Sequence, residues 1–214
     1  MPVRLLRGMI VLAVMAGVSA CVPGGIDPTG APATRAASVA GGAVVLAGPQ
    51  GYCIDRGRIR ERESTVFALF GTCAALSGAA GSGQPSRPAI LTASVAPGAP
   101  DGFEASFPQL ATFFRSEPGR AALSRSGKAS SVVVDRISSR GSVLYLHVQD
   151  TAGMAGQSVE PDYWRAVFAV RGHMVSLSVM SLESAPVGDA EKRQILAAFV
   201  AAVQGANAGR APAS

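Results

Sequence analysis

The segment 163–179 restricts the fold more tightly than any other stretch of the chain. Trp164, Ala166, Phe168 and Val170 alternate with Tyr163, Arg165, Val167 and Ala169, which is the period of a β-strand with two distinct faces. Arg171-Gly172 supplies a turn, and beyond it Val175, Leu177 and Val179 alternate with Ser176 and Ser178. An antiparallel hairpin is predicted.

A helix is expected directly after it. Ile195, Leu196, Phe199, Val200 and Val203 fall on one helical stripe, with Asp189 placed to cap its start, Glu191 in its first turn and Gly205 placed to end it. Upstream, 131–137 and 143–148 read as strands; in the second, Leu144, Leu146 and Val148 share one side, opposite Val143, Tyr145 and His147. Phe107, Leu110, Ala111 and Phe114 recur at helical spacing behind Ser106 and Pro108, and Glu117-Pro118-Gly119 interrupts that helix. Further strands are expected at 43–47, 52–54, 65–71 and 88–96, the first two around a turn at 48–51.

Strands, a central helix, more strands and a closing helix predict an α+β domain, a mainly antiparallel sheet with helices packed on it. The order of hairpin and final helix over 164–203 resembles that of the PsbP-like α/β/α sandwich proteins, a group with exported and lipid-anchored members. That resemblance implies a fold and no activity.

The N-terminus addresses location. Arg4 and Arg7 precede an uncharged apolar run, 8–20, which has the layout of a secretory leader. Its 13 residues are too few for a membrane-spanning helix, which needs about 20. Val18-Ser19-Ala20-Cys21 resembles the lipobox of bacterial lipoproteins. The resemblance implies cleavage before Cys21, a diacylglyceryl group on its sulfur and acylation of the new amine. Two or more acyl chains hold a protein to a bilayer stably, where one does so only marginally. By resemblance to enteric lipoproteins, Val22 instead of aspartate after the cysteine implies the outer membrane. The organisation expected is a leader at 1–20, lipidated Cys21 and a flexible Gly/Pro-rich tether to 41, a domain at 42–206 and a disordered tail at 207–214.

The whole chain has 19 Lys and Arg against 14 Asp and Glu, and loss of Arg4 and Arg7 with the leader brings the 19 down to 17. So small an excess, on an exported chain, argues against nucleic acid as a partner. The partners expected are the membrane, reached through the lipid, and an envelope protein or an anionic ligand.

After Cys21 only Cys53 and Cys73 remain. In an oxidising compartment the simplest expectation is one disulfide, with buried free thiols or a redox-active pair as alternatives. Between them Arg56, Arg58, Arg60 and Arg62 recur at every second position. An extended backbone would align them to grip phosphate or carboxylate; the competing reading is a solvated loop, since Asp55, Glu61 and Glu63 offset the charge.

Catalytic motifs fail on inspection. The segment Ser126-Gly127-Lys128-Ala129 lacks both the first glycine and the final hydroxyl of a phosphate loop. No partner for His147 or His173 can be named from spacing, so each reads as a structural histidine, with a general base as the alternative. Trp164 reads as core, or as a recognition platform. Glu160 and Asp162 close a long loop, 151–162, where a small cation or metal is conceivable. No cofactor is expected, and the function anticipated is non-enzymatic binding or assembly in the envelope, with a His-dependent hydrolase as the rival.

Overall fold

The computed structural model describes residues 33–78, 84–85, 87–153 and 158–209. The leader, Cys21, the first part of the tether, most of the loop around 79–86 and the residues from 210 onward lie outside them. In chain order the strands are β1 (Ala33–Thr34), β2 (Ala36–Val39), β3 (Val44–Ala47), β4 (Tyr52–Asp55), β5 (Arg60–Arg62) and β6 (Thr65–Thr72). A short helix α1 (Cys73–Ser77) leads to β7 (Ile90–Pro97), α2 (Phe107–Arg115) and α3 (Glu117–Leu123). The second half holds β8 (Val132–Arg140), β9 (Val143–Asp150), β10 (Val159–Val170), β11 (His173–Leu182) and α4 (Asp189–Asn207).

The fold is α+β. Among the described residues one sheet runs β1-β4-β6-β7-β11-β10-β9-β8, with β5 paired to one end of β6, and every pairing is antiparallel. The predicted hairpin is its centre: Trp164 faces Val179 and Val170 faces His173. Arg171 and Gly172 take φ of 50° and 76°, the positive pair that a two-residue turn needs to match the twist of its strands.

Alternation divides the core in two. On one face Trp164, Val179, Leu91 and Phe70 form a row across adjacent strands, and Leu196, Phe199, Val200 and Val203 of α4 pack over it. The rings of Phe70 and Phe199 meet edge to face at 4.9 Å. On the other face Phe107, Phe114 and Leu123, from α2 and α3, cover Leu144, Leu146, Val148 and Val167. The expected disulfide joins Cys53 on β4 to Cys73 at the start of α1, and β4 and β6 are sheet neighbours.

Several expectations need correction. The domain starts before residue 42: β2 pairs with β3, and Ala37 and Val39 are buried while Ala36 and Ser38 face out. A period-two pattern written in small side chains looked like tether. The domain also extends past 206, because Asn207 is buried, its amide bonded to both backbone groups of Val45 at 2.9 and 2.8 Å, so that Gly205 lies inside α4 instead of ending it. The turn after β3 redirects the chain from the β2–β3 ribbon into the main sheet; β3 and β4 do not pair.

Helix ends differ as well. Ser106 belongs to a 3-10 turn and makes no cap bond, whereas Ser116 Oγ accepts from Gly119 N and starts α3 at Glu117. Asp189 lies inside α4, after Gly188, and its carboxylate is used elsewhere. Finally, β10 begins at Val159, so Glu160 and Asp162 are strand residues and not loop ligands.

Candidate functional site

Because β10 alternates, Trp164 points to the α4 face while Tyr163 and Arg165 point to the other, and each side gathers a polar cluster. On the α4 side Trp164 is 3% exposed, its ring 4.9 Å from that of His147 between centroids and tilted 35° to it, with the guanidiniums of Arg136 and Arg193 each 5.6 Å from its centroid. Its indole N–H donates to Asp189 Oδ1 at 2.6 Å. A ring so enclosed is core and no open platform.

His147 Nδ1 lies 2.8 Å from Asp135 Oδ1. Among the described residues its buried Nε2 has no hydrogen-bond partner, and it lies 3.8 Å from both Asp162 Oδ2 and Asp189 Oδ1. An Asp-His pair is two of the three members of a hydrolase triad, but the nucleophile's place is taken here by carboxylates. Lys192, 1% exposed, donates from Nζ to Glu160 Oε2 at 3.0 Å and to Asp162 Oδ2 at 2.7 Å. The cation these two acids hold is therefore the chain's own ammonium, and among the described residues no group of three His, Cys, Asp or Glu side chains is arranged to bind a metal. His173 sits by the hairpin turn, with Nδ1 3.0 Å from the Arg171 carbonyl.

The arginine row is broken in two. Asp55 Oδ1 accepts from Gly57 N at 2.9 Å, and this side-chain turn curls Arg56 and Arg58 into a 3-10 turn. Arg60 and Arg62 follow on β5, and all four arginines are exposed. The row and Trp164 do not share a site: the strands β6, β7 and β11 separate β5 from β10.

The second cluster was missed by the sequence reading. A cleft of about 280 Å³ opens on the face opposite α4, with Tyr163 in its lining. The guanidiniums of Arg125 and Arg165 each lie 5.5 Å from the Tyr163 ring, whose hydroxyl donates to the Leu123 carbonyl at 2.8 Å. Burial pushes that phenol above its ordinary value and the Arg125 guanidinium below its own, the latter countered first by Asp150. Arg125 spends its terminal nitrogens on the carbonyls of Asp150, Ala152 and Glu160, while Arg165 Nε donates to Ser178 Oγ at 2.9 Å. Apolar surface from Phe67, Leu123 and Met180 completes the lining.

Two signals in the sequence pointed there. Arg165 shares the face of Tyr163 by simple alternation, and Arg125 stands directly before the segment 126–129 that fails as a phosphate loop.

Comparison with known proteins finds no family model, no curated protein and no solved structure that matches the chain. The functional reading therefore rests on residues and geometry alone. Among the described residues no helix is long and apolar enough to cross a membrane.

Proposed function

We propose that this chain is a lipid-anchored envelope lipoprotein, held by acyl groups on Cys21 and facing the periplasm from the outer membrane. Its disulfide-stapled α+β domain is a non-enzymatic module that binds or helps assemble another envelope component. The observation that carries the binding role is unequal cover on the two sides of one strand. On β6, Val66 and Ala68 are 0% exposed in the core on the α4 face of the sheet, whereas Phe67, between them on the opposite face, is 43% exposed. A sheet face left half open beside a cleft with arginines in it is a surface suited to a partner or ligand.

The rival hydrolase reading has one feature in its favour, the His147–Asp135 pair. Among the described residues no hydroxyl or thiol bonds to Nε2, which faces Asp162 and Asp189 instead.

Mass spectrometry of protein extracted from membranes tests the anchor: the chain should begin at a lipid-modified Cys21, and Cys21→Ala should release or misprocess it. An unmodified wild-type product in the soluble fraction overturns the anchoring. His147→Ala should keep cellular function wherever the domain stays folded; loss of function in a folded His147→Ala protein would turn the reading toward the hydrolase.

A further inference from the structure

Two groups in the cleft make it selective. Arg125 and Arg165 both approach Tyr163, but they are not equivalent. Arg125 is committed through its fork: its terminal nitrogens donate to three carbonyls, its backbone N–H donates to Asp150 Oδ2 at 2.6 Å, and the 0%-exposed Asp150 sets a negative charge beside it, while its buried Nε has no partner among the described residues. Arg165 is half-buried, donates only through Nε, and among the described residues has no carboxylate within 4.0 Å. One positive charge in the cleft is thus left without a counter-charge. Its two terminal nitrogens form the planar fork that matches a carboxylate.

The surroundings define the rest of the ligand. Thr92 and Ser178 are buried hydroxyl residues of the lining, and Phe67, Leu123, Met180 and the Tyr163 ring give the remainder an apolar character. A space of about 280 Å³ is near the lower bound for small-molecule sites. A phosphate dianion would need a second open guanidinium fork, and both terminal nitrogens of Arg125 are already engaged.

We propose that this cleft binds a small amphiphilic monocarboxylate, its carboxylate held by the Arg165 fork and its short or flat apolar body lying against Tyr163, Phe67 and Met180. The proposal rests on reading the domain as a binding module, and it names the ligand class.

The test uses the full lipidated chain in a non-ionic detergent, titrated with benzoate, benzamide and inorganic phosphate by calorimetry. Benzoate should bind with a dissociation constant of about 1 mM or tighter, with benzamide and phosphate at least about tenfold weaker. Arg165→Gln should weaken benzoate at least about tenfold. Ala122→Trp, on an exposed residue of α3 that lines the cleft, should block it without touching the core. Thermal unfolding of both variants checks that the fold persists. Absence of saturable benzoate binding to the wild type, binding by either variant as tight as that of the wild type, or phosphate binding as tightly as benzoate would each overturn the proposal. Lipid on Cys21 is read by mass in the same preparation, so a lipidated chain that ignores benzoate removes the carboxylate cleft and leaves the anchoring in place.

Discussion

The indole nitrogen of Trp164 and the carboxylate of Asp189, 2.6 Å apart, tie the middle of β10 to the first turn of α4. That bond is the leading reason the Asp189 carboxyl is held below its ordinary value. Desolvation opposes the shift, and Arg193, His147 and Arg136 add to it. A carboxyl lowered in the folded state contributes stability that is present above its unfolded value, about 3.9, and is lost as pH falls through the folded one. Trp164→Phe should cost about 1.5 to 3 kcal/mol at pH 7, the range for a hydrogen bond to a charged group. Denaturant unfolding from pH 7 down to 3 should also show a shallower acid loss for Trp164→Phe than for the wild type; parallel curves would deny the bond its role.

Lys192 supports an asymmetric prediction. Its side chain is 2% exposed, whereas those of Glu160 and Asp162 are 25% and 33% exposed. Removing both acids leaves a buried ammonium without a counter-charge, so Glu160→Gln with Asp162→Asn should destabilise by about 3 to 5 kcal/mol. Lys192→Met removes the buried charge itself and leaves carboxylates that reach water, so its cost should be smaller, roughly 1 to 3 kcal/mol. Equilibrium unfolding of the two variants ranks them, and the reverse order would contradict the account.

All three tyrosines of the chain resist ionisation. Burial pushes Tyr52 up to about 12 and raises Tyr145 and Tyr163 as well. A phenol whose folded value is raised contributes stability that is whole below the unfolded value near 10 and declines as pH rises toward the folded one. Tyrosinate absorbance during an alkaline titration should therefore stay flat near pH 10 and rise together with the loss of tertiary signal. A separate early step of one or more tyrosines, with the fold intact, would show that a phenol is open to water.

The parts of this fold that could be read in the sequence are those where side-chain size amplifies the period. Trp164, Phe168, Val175 and Leu177 announced their hairpin, and Leu196 with Phe199 announced α4. The pattern of Ala37 and Val39 carried the same information in side chains too small to stand out from a Gly/Pro-rich stretch. Site residues were harder for a different reason. His147 meets Asp135 across the β8–β9 pairing, and Asp162 and Asp189 from other elements, so its setting is a product of register that spacing along the chain does not encode. Arg125 and Tyr163 are joined only by the packing of the segment after α3 over β10. The evenly spaced arginines misled because Asp55 captures the Gly57 amide and turns the chain.

Gly119 and Gly127 allow the same substitution to be used as two different probes. At Gly119, in the first turn of α3, an added Cβ would overlap the Phe113 carbonyl and crowd the Phe114 Cα, both of them backbone atoms that no rotamer change can move. Gly119→Ala must therefore push α3 away from the end of α2, loosening Leu123 and Phe114 from the core they share, at a cost of about 3 kcal/mol or more. Gly127 has open space around its Cβ position but takes φ of +72°. Gly127→Ala should cost only about 1 to 2 kcal/mol, the price of a left-handed alanine. Chemical denaturation distinguishes them, and with them the origin of the penalty: if Gly127→Ala proves the more damaging, conformational strain in the loop after α3 outweighs the close approach of α2 and α3.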